Sequence, residues 1–181
     1  MVANVGRRDP RALLITGRPG SGKTTVIRRV ATALSGHRLE GFYTEEIRVG
    51  GERRGFHLAR FDGRERVMAH VEFRGPYRVG KYGVDVSVID AVVDSALAVK
   101  DEVEVYLVDE IGKMECMSPK FVAAMRALVD SRKPVVATIA RTGGGFIAEV
   151  RQREDAERWE LTRANRDGMP ERVLEWLAAR R

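Results

Sequence analysis

Leu13-Leu14-Ile15-Thr16-Gly17-Arg18-Pro19-Gly20-Ser21-Gly22-Lys23-Thr24-Thr25 is the stretch that decides the fold. Its opening, from Arg11-Ala12 to Thr16, is a short apolar run stopped by glycine, the pattern of a buried parallel strand. After it, Val26, Ile27, Val30, Ala33 and Leu34 recur at helical spacing until Gly36 stops the helix. Between strand and helix, Gly17 to Thr24 matches G-x-x-x-x-G-K-[ST] at every fixed position. Glycines there let backbone N–H groups approach phosphate oxygens without Cβ clashes, and the helix start adds its positive end to the same anion site. Lys23 is expected to reach the β- and γ-phosphates and the Thr24 hydroxyl to ligate Mg2+. Gly17, Arg18, Pro19, Gly20, Ser21, Gly22, Lys23, Thr24 and the adjoining Thr25 are therefore the expected nucleotide-binding loop.

A second apolar run, Val103 to Val108, ends in Asp109-Glu110, which puts two carboxylates at the carboxyl end of a buried strand. In an open α/β sheet that edge is where ligands bind. Asp109 is the candidate to hold Mg2+ opposite Thr24. Glu110 is the candidate to polarise a water for in-line attack on the γ-phosphate, with Lys23 as its catalytic partner. The ordinary alternative is a solvated turn leading into Gly112; coupling to the phosphate loop favours chemistry, and the adjacent Glu favours a hydrolase.

The rest of the chain alternates strands and helices. Gly41 to Arg48 and Phe56 to Phe61 flank Gly50-Gly51 as a hairpin, and Val67 to Val71 adds an antiparallel strand. Asp85 starts a helix to about Val99. Ser118-Pro119 starts another to about Ser131. Pro134 to Ala140 is a strand, Ile147 to Arg153 a charged helix, Trp159 to Thr162 a short strand, and Glu171 to Arg180 a final helix. The expected fold is α/β, a mostly parallel sheet flanked by helices, in one domain over 1–181 with a hairpin insertion at about 41–73.

Composition bounds the function classes. The 181 residues are 44% hydrophobic and 32% charged, as in ordinary globular enzymes. No apolar stretch approaches the ~18 residues that cross a bilayer, and Met1 to Arg11 lacks the apolar run of a signal peptide. A single cysteine, Cys116, excludes an internal disulfide; a cytoplasmic protein is the simplest reading. The net charge of +6, carried by 26 arginines and six lysines, suits polyanionic ligands. His37, His57 and His70 show no close metal-ligand spacing.

The run Gly41-Phe42-Tyr43-Thr44-Glu45-Glu46, then Arg54-Gly55-Phe56, Val79-Gly80-Lys81-Tyr82-Gly83-Val84 and Asp109-Glu110-Ile111-Gly112-Lys113-Met114-Glu115, resembles the small nucleoside-triphosphatase family of THEP type. The likeness extends from about Leu13 to Asn165-Arg166, and the last run is its most selective part. The resemblance implies a RecA-like fold and Mg2+-dependent hydrolysis of NTP to NDP and phosphate, with ATP, GTP, CTP and UTP all accepted. It also implies nucleotide contacts along the strand end Val105, Tyr106, Leu107, Val108, Asp109, Glu110, Ile111 and Gly112.

Weaker signals stand beside these. An added cation for transition-state charge has Arg18, Lys113 and Arg141 as candidates, with Arg141 first because it follows a strand's carboxyl end. Asn165 and Arg166 are expected to hold the nucleobase, by hydrogen bond and stacking, against the plainer reading of a strand-to-helix turn. From Arg48 to Lys81 nine basic residues face four acidic ones, with Phe56, Phe61, Phe73 and Tyr77 interleaved. Such a segment suits single-stranded nucleic acid, but more often is a packed aromatic face beside a solvated charged one. A kinase that uses the same loop and a nucleotide-gated adaptor remain the alternatives. A monomer without membrane attachment is expected.

Overall fold

The computed structural model describes residues 10–180, so most of the polar N-terminal stretch read above lies outside the described residues. The first unit is β1 (Ala12–Gly17), the glycine loop and α1 (Lys23–Ala33). The hairpin strands follow as β2 (Leu39–Val49) and β3 (Glu52–Arg60), then β4 (Glu65–His70), β5 (Arg78–Val79) and β6 (Tyr82–Val84). After α2 (Val86–Ala96) come β7 (Val105–Ile111), a 3-10 turn (Glu115–Met117), α3 (Pro119–Asp130) and β8 (Val135–Ile139). The chain closes with α4 (Phe146–Arg151), β9 (Ala156–Leu161) and α5 (Met169–Ala178).

The nine strands of the described residues share one sheet in the order β5-β6-β4-β3-β2-β7-β8-β1-β9. β2, β7, β8, β1 and β9 run parallel, while β3, β4, β6 and β5 extend the sheet by antiparallel pairing. The hairpin expected as an insertion is thus continuous with the sheet: the first half of β2 pairs with β7 and most of its length with β3. β8 lies between β1 and β7, which separates the loop-bearing strand from the acidic one by one strand while keeping their carboxyl ends on the same edge.

Side chains of a strand alternate between faces, and here each face builds its own core. Leu13 and Ile15 of β1, Val105 and Leu107 of β7 and Val136 of β8 pack with Val26, Ile27 and Val30 of α1 and Val173 and Leu177 of α5. Ala12, Leu14, Tyr106, Val108, Val135 and Ala137 point the other way, against α2, α3 and α4. Phe42 and Phe121 meet there edge-on, ring centroids 6.1 Å apart, worth roughly 0.5–1.5 kcal/mol beyond area burial. Caps follow the residues that announce them: Asp85 accepts from the Ser87 N–H, and Ser118 Oγ from the Phe121 N–H at 2.9 Å ahead of Pro119.

Several bounds shift by a few residues from expectation, and at two strands the shift follows from pairing. β7 runs on to Ile111, which pairs with Ile139 after a register shift, so both carboxylates sit within the strand. β9 begins at Ala156 because it pairs with the whole of β1.

Candidate functional site

α1 begins without a side-chain cap. Its N-cap is Gly22, at φ 101, a left-handed conformation that a Cβ would strain, and its first turn has no acidic residue. α1 thus brings no cap or acid of its own to its positive end, which faces the glycine loop. Within the loop, Ser21 N–H donates to Arg18 O at 3.0 Å, whereas Ser21 Oγ is buried without a hydrogen-bond partner. Lys23 Nζ lies 3.3 Å from Gly17 O and 3.5 Å from Glu110 Oε2.

Asp109 is 2% exposed and is met by three hydroxyls from three elements. Thr24 of α1 donates to Oδ2 at 2.6 Å, Thr44 of β2 to the same oxygen at 3.4 Å, and Thr138 of β8 to Oδ1. Among the described residues no lysine or arginine pairs with it. Glu110, its side chain 31% exposed, shares Lys23 instead. Burial raises the Glu110 carboxyl above its ordinary range, Lys23 pulls it back, and the Asp109 charge adds to the rise.

The loop residues 18–21 also form one wall of a cleft of about 460 Å³, whose opposite wall is residues 160–163 at the end of β9. Arg18 and Arg163 belong to opposite walls. Arg141 is half exposed and lies 4.0 Å from Glu160, at the border of this cleft. A larger hollow of about 640 Å³ lies behind α1, between Arg28, Tyr43, Arg60 and Phe61, and contains no loop residue. Its arginines are paired, Arg28 with Glu45 and Arg60 with Glu40 and Asp62, so it does not compete for a phosphate.

Several expected residues stand in other roles. Val105, Tyr106, Leu107 and Val108 are fully buried, and the Tyr106 hydroxyl donates to Ala98 O at 2.7 Å and accepts from Lys100 N–H. These four side chains hold the strand and cannot touch a nucleotide. Asn165 Oδ1 accepts from Thr162 N–H at 2.8 Å and its Nδ2 donates to Glu160 O at 2.9 Å, so the amide shapes the turn behind the cleft. Arg166 is half exposed beside Asp167. Thr25 and Lys113 are exposed, while Ile111 and Gly112 are buried. Of the basic hairpin residues, Arg48 and Arg53 share Glu46, Arg54 pairs with Glu72, and Arg64 with Asp62. Phe56 packs edge-on against Tyr82, leaving Tyr77 as the exposed large ring of the segment. Sequence reasoning passed over Thr44 and Thr138. The signal for Thr138 is one hydroxyl in an otherwise apolar strand at the same sheet edge.

Comparison with known proteins gives the family and the fold. A family model described as NTPase matches residues 12–174. A nucleoside-triphosphatase THEP1 from Thermotoga petrophila is 40% identical over 163 residues, covering 90% of each chain. One from Methanopyrus kandleri is 37% identical over 180 residues, covering 94% of this chain and 99% of the relative. The crystal structure of THEP1 from Aquifex aeolicus superposes with a TM-score of 0.83 at 36% identity, covering 92% of this chain and 98% of that one. The solution structure of a human cancer-related nucleoside triphosphatase gives 0.78 at 32%, covering 94% and 99%.

Proposed function

Because this chain belongs to the NTPase family and is a nucleoside-triphosphatase, we propose that it hydrolyses NTP to NDP and phosphate with Mg2+ held at Thr24 and Asp109. One observation carries the metal assignment: Asp109 is a buried carboxylate ringed by hydroxyls and, among the described residues, lacking a cation partner. Buried charges are paired or coordinate metals, and hard oxygens of this kind suit Mg2+, which commonly takes one or two protein ligands and fills its shell from water and phosphate. When bound, the ion supplies positive charge to the β- and γ-phosphoryl oxygens.

The chain's own residues do the rest. Backbone N–H groups of Gly17 to Thr24, with the open end of α1, hold the phosphates. Lys23 exchanges Glu110 and Gly17 O for β- and γ-oxygens. Glu110, its carboxyl raised by burial, takes a proton from the attacking water as the bond to the leaving diphosphate breaks. Arg141, at the cleft border, is the cation we assign to transition-state charge. Tolerance for ATP, GTP, CTP and UTP is supported by the cleft itself: two guanidinium planes, Arg18 and Arg163, stack on any base, and the Asn165 amide is committed to its turn. We read the 1–181 chain as one domain and one monomeric unit acting on cytoplasmic nucleotide pools. Most hairpin arginines are internally paired, which disfavours nucleic acid as a partner, and no helix among the described residues is long and apolar enough to cross a membrane.

Steady-state phosphate release from the four nucleotides tests this. Release from all four, lost with EDTA and in Glu110→Gln, is the expected result. Release without a divalent ion would refute the metal role, and release confined to one base would refute the tolerance.

A further inference from the structure

Glu115 is a carboxyl that the hydrolytic scheme does not use. It opens the 3-10 turn directly after β7 and is 5% exposed. Among the described residues no ion pair involves it. Its carboxyl faces its own backbone N–H and that of Gly112. It also lies beside Glu110: a Cβ placed on Gly112 would sit 2.7 Å from Glu115 Oε2 and 3.1 Å from Glu110 Oε1. The missing side chain at Gly112 is what lets both carboxyl groups occupy the same small space. Two charged carboxylates at such separation repel strongly in a low-dielectric setting.

We infer that Glu115 is a positioning residue that orients the Glu110 carboxylate across the side-chain-free gap at Gly112. The inference rests on Glu110 acting as the base of hydrolysis. Burial, reinforced by the charges of Glu110 and Asp109, lifts the Glu115 carboxyl to about 8, so at neutral pH it holds its proton. A neutral acid there stands beside Glu110 without repulsion and has a proton to donate to it. Other groups around the turn do not replace it. Burial, with Glu115 adding to it, pushes the neighbouring Cys116 thiol up to about 12; Lys23 is shared by Glu110 and Gly17. On α2 and α3, Asp90 is held by Ser118 and Asp94 by Lys120.

Three variants test the role: Glu115→Ala, Glu115→Gln and Glu110→Gln. Glu115→Ala is expected to lower kcat by about 10- to 100-fold, the scale of a small misplacement of a reacting group, with KM within about twofold. Glu115→Gln keeps a neutral donor and restores most of kcat. It also keeps its rate above pH 8, where the parent declines as Glu115 ionises beside Glu110. In nucleotide-free protein, carbon-13 NMR of the glutamate carboxyls should show Glu115 protonated at pH 7 and the Glu110 signal displaced in Glu115→Ala. Parental kcat in Glu115→Ala, or a Glu110 signal indifferent to Glu115→Ala, overturns the inference while leaving an inactive Glu110→Gln, and so the hydrolytic reading, intact. An active Glu110→Gln removes the base itself and the inference with it.

Discussion

The two halves of the sheet treat charge in opposite ways. In the parallel half, β1, β7 and β8 are almost wholly buried, and the few polar groups there (Asp109, Thr138, Ser21) converge on one edge. In the antiparallel half, β2 to β6, charges are numerous and half exposed, and they cancel in local pairs such as Arg53 with Glu46 and Arg54 with Glu72. Ligand chemistry belongs where a buried charge is left uncompensated by the protein, not where charge is most abundant. The basic hairpin, the most conspicuous electrostatic feature of the sequence, pairs most of its arginines with its own carboxylates and those beside it.

Four substitutions break or sharpen that contrast. Lys23→Ala is expected to weaken ATP binding by at least about 30-fold by isothermal titration, the scale for removing one member of a buried charge contact. Thr138→Val deletes one of the hydroxyls that orient Asp109. Its apparent Mg2+ affinity should drop by about tenfold in a metal titration of hydrolysis, as for other groups that orient a metal ligand. Glu115→Gln should change stability with pH. A carboxyl raised from 4.5 to about 8 by folding costs stability as pH rises between those values, because the unfolded chain releases its proton first. The variant's Tm advantage over the parent should therefore widen from pH 4.5 to about 8 and then level off. Arg54→Ala, in the self-paired half, should cost at most about 1 kcal/mol in urea unfolding and leave kcat unchanged. A large loss of hydrolysis from Arg54→Ala would contradict the division of labour between the halves.

Much of the parallel half was readable because its signals are local. A glycine loop between an apolar run and an amphipathic helix states its own geometry, and Ser118-Pro119 announces α3. What escaped reading depends on partners distant in sequence. Thr138 sits in Val135-Val136-Ala137-Thr138-Ile139, where a threonine is simply a good strand former until Asp109 appears opposite it. Thr44 is 65 residues from the carboxylate it reaches. β9 reads short because Glu157 and Glu160 interrupt its apolar pattern; only pairing with β1 extends it back to Ala156. Asn165 was read as a base contact because an amide suits both that task and a turn, and only the placement of Thr162 and Glu160 decides between them. β7 reads short because its apolar run pauses at two carboxylates before resuming at Ile111.

The uncapped start of α1 carries a thermodynamic consequence. Most helices complete their first turn with a residue of their own, a contribution of about 1 kcal/mol; this one, opening on Gly22 with no acidic residue behind it, has no such internal supplement. Any phosphate that docks on those N–H groups binds the folded chain and not the unfolded one, so occupancy is converted into heat resistance at RT ln(1 + [L]/Kd). Ligand present at about 100 times its dissociation constant adds about 2.7 kcal/mol. The enzyme's thermal endurance is therefore expected to follow the supply of its substrate, and a melting curve alone, without any assay of turnover, ranks the nucleotides it accepts.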